Sequence, residues 1–302
     1  MYEKQATAFL YCVSPVHMGA GTATGLVDNP IQRECHTRHP SFAGSGIKGA
    51  ARHAFASLVP EAADKRERLF GPESGADNLH AGAISFGDAQ LVAFPVRSLR
   101  QGFVYATCPQ ALARAARLLA MTGRDAQWPA IPVADGHCRI TPQAGDALTR
   151  DGKLDLEVFQ YQADPSAELA TVAGWLAEHA LNANHTPEYF RNKLRDHLVL
   201  LSDTDFDYFV NNATLVEPHV RINEKTGAAD SGGLFYTENL PPESLLIAPV
   251  MASRERSGRD DAMQADQVMG QISTALHGNV IQLGGDATTG RGMVSFNLVQ
   301  GG

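Results

Sequence analysis

The chain has 302 residues, 44% of them hydrophobic and 19% charged, the composition of an ordinary globular protein with room for a sizeable core. No run of ~18 apolar residues occurs, which excludes an ordinary membrane-spanning helix. The opening MYEKQATAFLYCV also lacks the order of a signal peptide, so the cytoplasm is the expected compartment. A formal net charge of −8 argues against a nucleic-acid partner for the molecule taken as a whole, although a binding face is a local property.

In chain order, alternating apolar residues predict a strand over 6–13, followed by a long loop that begins at His17. The loop is rich in glycine and has almost no apolar periodicity; loops of this length inside a domain are functional or disordered. Its glycine run Gly19-Ala-Gly21-Thr-Ala-Thr-Gly25 has neither the spacing of a dinucleotide fingerprint nor a P-loop lysine. Ser45 is a candidate N-cap for a helix over 47–58. Between residues 29 and 58 the cations Arg33, Arg38, Lys48 and Arg52 face one acid, Glu34, so this segment is basic within an acidic chain.

One or two strands are predicted over 83–96 and a helix over 109–122, whereas 124–155 reads as an irregular insertion. Helices over 166–180 and 187–201 precede a hairpin over 215–238, with Lys225-Thr226-Gly227 at its turn. A strand (244–251), a helix (260–277), a strand (280–283), a second glycine loop (284–292) and a closing strand (293–299) complete the chain. Strands and helices mix without regular alternation, so the predicted class is α+β. The cysteines Cys12, Cys35, Cys108 and Cys138 form no CxxC pair, which argues against a zinc ribbon or a disulfide framework.

Several residues carry candidate chemistry. Free N–H groups and the dipole at the start of the 47–58 helix suit an anion, with Lys48 and Arg52 one turn apart on one face; a capped helix with two solvated bases is the alternative. The loop Leu283-Gly-Gly-Asp-Ala-Thr-Thr-Gly-Arg291-Gly292 offers backbone donors in a nest-like array. Asp28 precedes Asn29-Pro30, which forces an extended backbone. It suits either a Mg²⁺-assisted site on RNA or DNA, or a turn cap. His17 suits a backbone carbonyl as readily as a phosphate, zinc ligation by His36 and His39 is doubtful before Pro40, and Glu238 closes the hairpin where a surface salt bridge is the commonest fate.

Five segments together resemble the RAMP superfamily of CRISPR effector proteins, and within it the backbone subunits of the type III-B (Cmr) complex. They are His17-Met-Gly-Ala-Gly, the run Val27-Asp28 to Thr37, Gly44-Ser45-Gly46-Ile47-Lys48-Gly49, the hairpin (Arg221 to Gly227 with Leu234 to Pro242), and Leu283 to Gly292. The resemblance implies a single domain over 1–302. Its parts would be an RRM-like (ferredoxin-like) core near 1–100 and 243–302, large insertions near 101–214 and a β-hairpin thumb near 215–242.

It implies copies stacked as a helical filament along a CRISPR guide RNA, beside other Cmr-type subunits, with complementary target RNA as substrate. The implied RNA contacts are Arg33, Ser45, Lys48, Gly49, Arg52, Arg221, Gly284, Gly285, Thr289 and Arg291. Asp28, with Mg²⁺ or another divalent cation, is the implied catalytic and metal residue, and His17 and Glu238 are further catalytic candidates. Gly46 stands where the family pattern carries a hydroxyl, so one phosphate donor is lost. A non-catalytic scaffold, or a metal-free guide-processing RNase using His17 or His36, are the alternatives.

Overall fold

The computed structural model describes residues 2–73, 75, 76, 78–181, 184 and 186–301. The first half contains β1 (Lys4–Cys12), β2 (Ser41–Phe42), α1 (Gly44–Leu58), α2 (Arg66–Phe70), β3 (Ile84–Phe86), β4 (Ala89–Arg97), β5 (Phe103–Thr107), α3 (Pro109–Met121), β6 (His137–Ile140) and α4 (Gly145–Leu148). The second half contains β7 (Lys153–Leu156), β8 (Phe159–Pro165), α5 (Ala167–His179), α6 (Glu188–Asp196), β9 (Leu198–Leu201), α7 (Asp203–Asn212), β10 (Leu215–Ile222), β11 (Ala229–Asn239), β12 (Leu245–Ala252), α8 (Ala265–Leu276), β13 (Asn279–Gln282) and β14 (Met293–Gln300). This is the mixed α+β class expected, built on one large, mostly antiparallel sheet.

The sheet runs β13-β14-β1-β12-β4-β5-β9-β6-β8-β7, with β2 on β4 and β3 on β12. β1 lies between β12 and β14, antiparallel to both, and its alternating side chains feed two cores. Ala8, Leu10 and Cys12 pack under α1 and α8 with Ile47, Phe55, Val268 and Ile272. Phe9 and Tyr11 face the other way, into the layer of α3, α5 and α6 with Leu119, Leu169 and Leu194. The β10–β11 hairpin forms a sheet of its own.

Most elements lie where the sequence places them, and the differences have physical causes. Residues 198–201 form β9 rather than the last turn of a helix. Leu-Val-Leu-Leu is buried on both faces and pairs in parallel with β5, a setting that favours a continuous apolar strand. The 124–155 segment is not irregular throughout: β6 pairs with β8 and β9, and β7 with β8, so the sheet continues through it. α8 begins at Ala265, five residues later than the predicted start, behind a Gln264–Gln267 capping box. The thiols of Cys12, Cys108 and Cys138 are buried, Cys35 is exposed, and no disulfide forms among the described residues.

Ser45 is not the N-cap of α1. That position is Ala43, and the first helical N–H, of Gly44, donates to Asp88 Oδ1 at 2.7 Å. A side chain at residue 44 would put Cβ 2.2 Å from the Phe86 carbonyl, so only glycine lets α1 start this close to β3.

The link between β12 and α8 is fixed by one buried ion pair. Arg68 on α2 donates twice to Glu255, Nε and Nη2 each at 2.7 Å, and its Nη1 reaches Asp261 at 3.2 Å. Burial pushes the Glu255 carboxyl up, but the Arg68 fork, the Met263 N–H and the Ser257 hydroxyl outweigh it and hold the group down at about 2. The pair therefore stabilises the fold in full above the ordinary carboxylate value, and that contribution is lost as pH falls from about 4.5 towards 2. Arg68→Ala leaves a carboxylate with 0% side-chain exposure unpaired. A loss of about 3–5 kcal/mol is expected, read as a lower melting temperature at neutral pH and a much smaller deficit near pH 2.

Candidate nucleic-acid interface

The root of the β10–β11 hairpin gathers most of the singled-out residues. The edge of β11 turned away from β10 receives the loop that carries Asp28: Asn29 N donates to Tyr236 O at 3.0 Å and Glu238 N to Asn29 O at 2.9 Å. Asp28 Oδ2 accepts the Tyr236 N–H at 2.7 Å, and its other oxygen has no partner among the described residues. Two residues along the same edge, Glu238 O accepts from His17 Nδ1 at 2.7 Å. That bond places the ring proton on Nδ1 and leaves Nε2 as a free acceptor. By the rise of a strand, the two attachment points lie about 7 Å apart. Asp28 and His17 are therefore neighbours along one strand edge.

His17 is held from a second side by the glycine loop. Its carbonyl accepts from Gly285 N at 2.9 Å, and a Cβ on Gly284 (φ +78°) would fall 2.3 Å from the same oxygen. Within that loop a short 3-10 turn, Ala287–Thr289, engages the N–H groups of Thr289, Gly290 and Arg291 internally, and the Thr289 hydroxyl donates to Asp286 O. The nest-like array is therefore partly closed on itself, and Gly285 and Thr289 already have partners. Arg291 is ion-paired to Glu217 at the base of β10.

Glu238 and Arg33 are not free surface groups. Glu238 Oε1 accepts from Arg33 Nη2 at 2.6 Å and from the Thr214 hydroxyl at 2.7 Å, and Oε2 accepts the Ile31 N–H at 3.1 Å. Both side chains are only 9% exposed. Burial raises the carboxyl's affinity for a proton, but Arg33, Thr214 and the Ile31 N–H together hold it below the usual range, so it stays ionised. Arg33 also donates to the carbonyls of Arg38 and Val210. Both terminal nitrogens of the Arg33 guanidinium are thus bonded inside the protein, where the expectation was a surface phosphate contact, and Glu238 ties the loop to the hairpin.

The cationic side of the site is α1. Gly46 packs against Met18, next to His17, which puts the helix start beside the hairpin root. Ser45 and Gly49 are exposed there. Lys48 has no ion pair among the described residues; burial of its stem, then Arg52 and Arg256, lower its proton affinity. Arg52 is partly engaged, donating to Gly71 O with Glu73 at 3.9 Å. Arg256 was missed in the sequence: it lies far along the chain, in the loop anchored by Glu255, and the Arg254-Glu-Arg256 run was its only signal. Beyond the root, the hairpin is solvent-exposed, with Val216, Val220, Ile222, Leu234 and Tyr236 uncovered, His219 stacked on Phe235 and Arg221 exposed at a bulge.

No cluster of three His, Cys, Asp or Glu able to hold a metal exists among the described residues. Asp28 offers a carboxylate oxygen with no partner among the described residues. That donor set does not make a closed cation cage, but it fits a Mg²⁺-type ion held by one carboxylate together with phosphate oxygens of a bound nucleic acid.

The chain belongs to the RAMP superfamily, whose model matches residues 9–295. It is 32% identical over 291 residues to the CRISPR system Cmr endoribonuclease Cmr4 of Pyrococcus furiosus, covering 96% of this chain and 94% of that protein. It is 24% identical over 308 residues to the CMR subunit Cmr4 of Saccharolobus solfataricus, covering 95% and 94%. Among solved structures, oligomeric Cmr4 from Pyrococcus furiosus superposes with a TM-score of 0.72 at 26% identity, over 98% of each chain. A chain of a type III-B Cmr-beta complex in the apo state superposes at 0.74 with 18% identity, over 99% of this chain and 98% of that one.

Glu238→Ala removes the counter-ion of a buried guanidinium. It is expected to cost about 3–5 kcal/mol and to speed hydrogen exchange at the amides of Asn29, Ile31 and Glu238. Arg221→Ala, at the exposed bulge, is expected to change stability by less than about 0.5 kcal/mol. Equal exchange in the two variants would contradict the anchoring role.

Proposed function

We propose that this chain is a guide-RNA-binding backbone subunit of a type III CRISPR effector complex that cuts complementary target RNA beside each hairpin. The observation that carries the reading is the edge of β11 turned away from β10, which sets Asp28 and His17 side by side at the root of an exposed, apolar hairpin. The name endoribonuclease, borne by the Pyrococcus furiosus relative, supports the cutting, and the oligomeric Cmr4 structure supports a filament of copies. In the same reading, 1–100 with 243–302 is an RRM-like core, 101–214 an insertion that extends its sheet, and 215–242 the thumb.

Guide pairing selects the target, so the protein needs to grip only backbone shape. Lys48, with Arg52 and Arg256 near it, binds guide phosphates. The apolar face of β10–β11 wedges between base pairs and turns one target nucleotide out, which frees its 2′-hydroxyl to line up with the adjacent phosphate. His17 Nε2 accepts the hydroxyl proton, the 2′-oxygen bonds to phosphorus, and the bond to the 5′-oxygen breaks; the departing oxygen takes a proton from water and His17 returns its own to solvent, leaving a cyclic phosphate and a new 5′-hydroxyl. Asp28 would hold a divalent cation with the help of the bound RNA, and the cation would supply neutralisation of phosphate charge. Asp28 keeps its backbone bond to Tyr236 throughout and so fixes its carboxylate at the hairpin root.

The lone carboxylate favours a second reading, a scaffold that binds guide RNA without chemistry. Assembled complex with complementary RNA separates the two: regularly spaced products with Mg²⁺ and none with EDTA support cutting, and no product in either supports the scaffold. Asp28→Ala is expected to retain RNA binding while cleavage falls by at least ~100-fold; undiminished cleavage would remove Asp28 from the chemistry. Lys48→Ala is expected to weaken guide binding and to lower the slope of log affinity against log salt by about 0.7–0.9, measured by filter binding across a salt series.

A further inference from the structure

At the far end of β14 from the hairpin root lies a second concave site of about 370 Å³, bounded by the loop after α3, by α5, α6 and the end of α8, and by the last strand. It is lined by Arg124, Glu178, His179, Arg191 and His277, together with the final residues of β14. Met293, where β14 starts beside the glycine loop, and Val299 in this cavity are six residues apart, about 20 Å along a strand. The cavity is thus separate from the RNA-directed cluster, and its chemistry is independent of the RNA reading.

Its lining is dominated by donors. Arg124 and Arg191 are half-buried, and neither has an ion pair among the described residues. Arg191 Nε is buried with no hydrogen-bond partner, an arrangement that proteins rarely leave unsatisfied. Arg124 Nη2 donates to His179 Nε2 at 3.2 Å, and the His179 ring is itself set by Trp175, with centroids 4.5 Å apart. The Leu298 N–H donates to His277 Nδ1 at 3.1 Å, which places the His277 proton on Nε2 as a further donor at the rim. The one acid, Glu178, is exposed and paired with neither arginine. Two guanidiniums and an imidazole N–H around a small cavity, with one solvated acid, are matched by a compact, multiply charged oxyanion.

We propose that this cavity is a binding site for a small phosphate-bearing ligand, held by Arg124, Arg191 and His277. A phosphate group has enough acceptor oxygens to satisfy both arginine forks and the imidazole at once, and the volume leaves space for at most a mononucleotide. Inorganic phosphate and AMP distinguish a free anion from a nucleotide as the source.

The test is isothermal titration of the full chain, free of RNA, with each probe at constant ionic strength in chloride. Lys48→Ala is used as the background so that α1 does not contribute. One saturating site for phosphate is expected, with affinity reduced at least ~10-fold by either Arg124→Gln or Arg191→Gln, the equivalent of one lost charge-assisted bond. AMP binding as tightly or more tightly marks a nucleotide site, and AMP exclusion marks a free-anion site. No saturable heat, or binding that survives both substitutions, overturns the proposal. Circular dichroism and melting in chloride verify that the variants fold; should an arginine variant fail, His277→Gln probes the same cavity from its exposed rim.

Discussion

The arrangement of this protein depends on one buried ion pair, Arg33 with Glu238. Few apolar side chains anchor the loop between β1 and α1, so packing alone does not fix its path. The pair does, because each partner is also bonded to a different element: Glu238 to the Ile31 N–H and Thr214, Arg33 to the carbonyls of Arg38 and Val210 at the end of α7. Two charges taken out of water add little net stability, and their value is that only one register satisfies them. In any other alignment of the loop on β11, a carboxylate and a guanidinium would be buried without partners. The orientation of the hairpin, the seat of His17 and the position of Asp28 all derive from that register.

The same device recurs. Glu255 with Arg68 fixes the β12–α8 loop and so presents Arg256 near Lys48, and Glu34, gripped by Arg114 and the Thr37 hydroxyl, ties the first loop to α3. In each case an acid is consumed in setting a loop, while the cations nearest the helix start, Lys48 and Arg256, stay without ion pairs among the described residues. Each clamp removes one negative and one positive charge, so the net charge of −8 is unchanged by them; a polyanionic partner meets only the local field, which at the helix start is that of Lys48 and Arg256.

The strands, helices and glycine loops were largely legible in the sequence because each has a local cause: alternation in β1, a proline at the first turn of α3, a serine cap on α5. What was not legible has non-local causes. The 198–201 run suits a helix end until β5 supplies a parallel partner, and the 124–155 segment reads as irregular until β8 and β9 supply edges for β6. Ser45 looks like a cap because the Asp88 carboxylate that performs the task is distant in sequence. The candidate site shows the same limit. The residue types at Asp28, His17 and Lys48 were readable, but the burial of Arg33 and Glu238 was not, since an arginine in a basic loop and a glutamate at a hairpin end give no local sign of meeting.

The two halves of the proposed chemistry differ in rigidity, and the difference is informative. His17 is constrained through its ring, its carbonyl and the glycine at its back, so its Nε2 lone pair has one direction. Asp28 has a single side-chain bond and sits at the end of an exposed glycine-rich loop whose Leu26 is 97% exposed. A preformed base beside a loosely tethered carboxylate is poor at binding a cation alone, since one oxygen on an exposed loop cannot replace a hydration shell. In the proposed reaction a nucleic-acid phosphate would complete the ligand set while Asp28 keeps its bond to the Tyr236 N–H. Under that proposal the cation site would be complete only on RNA that is already gripped and splayed, so its energetic cost would fall on binding of the correct strand.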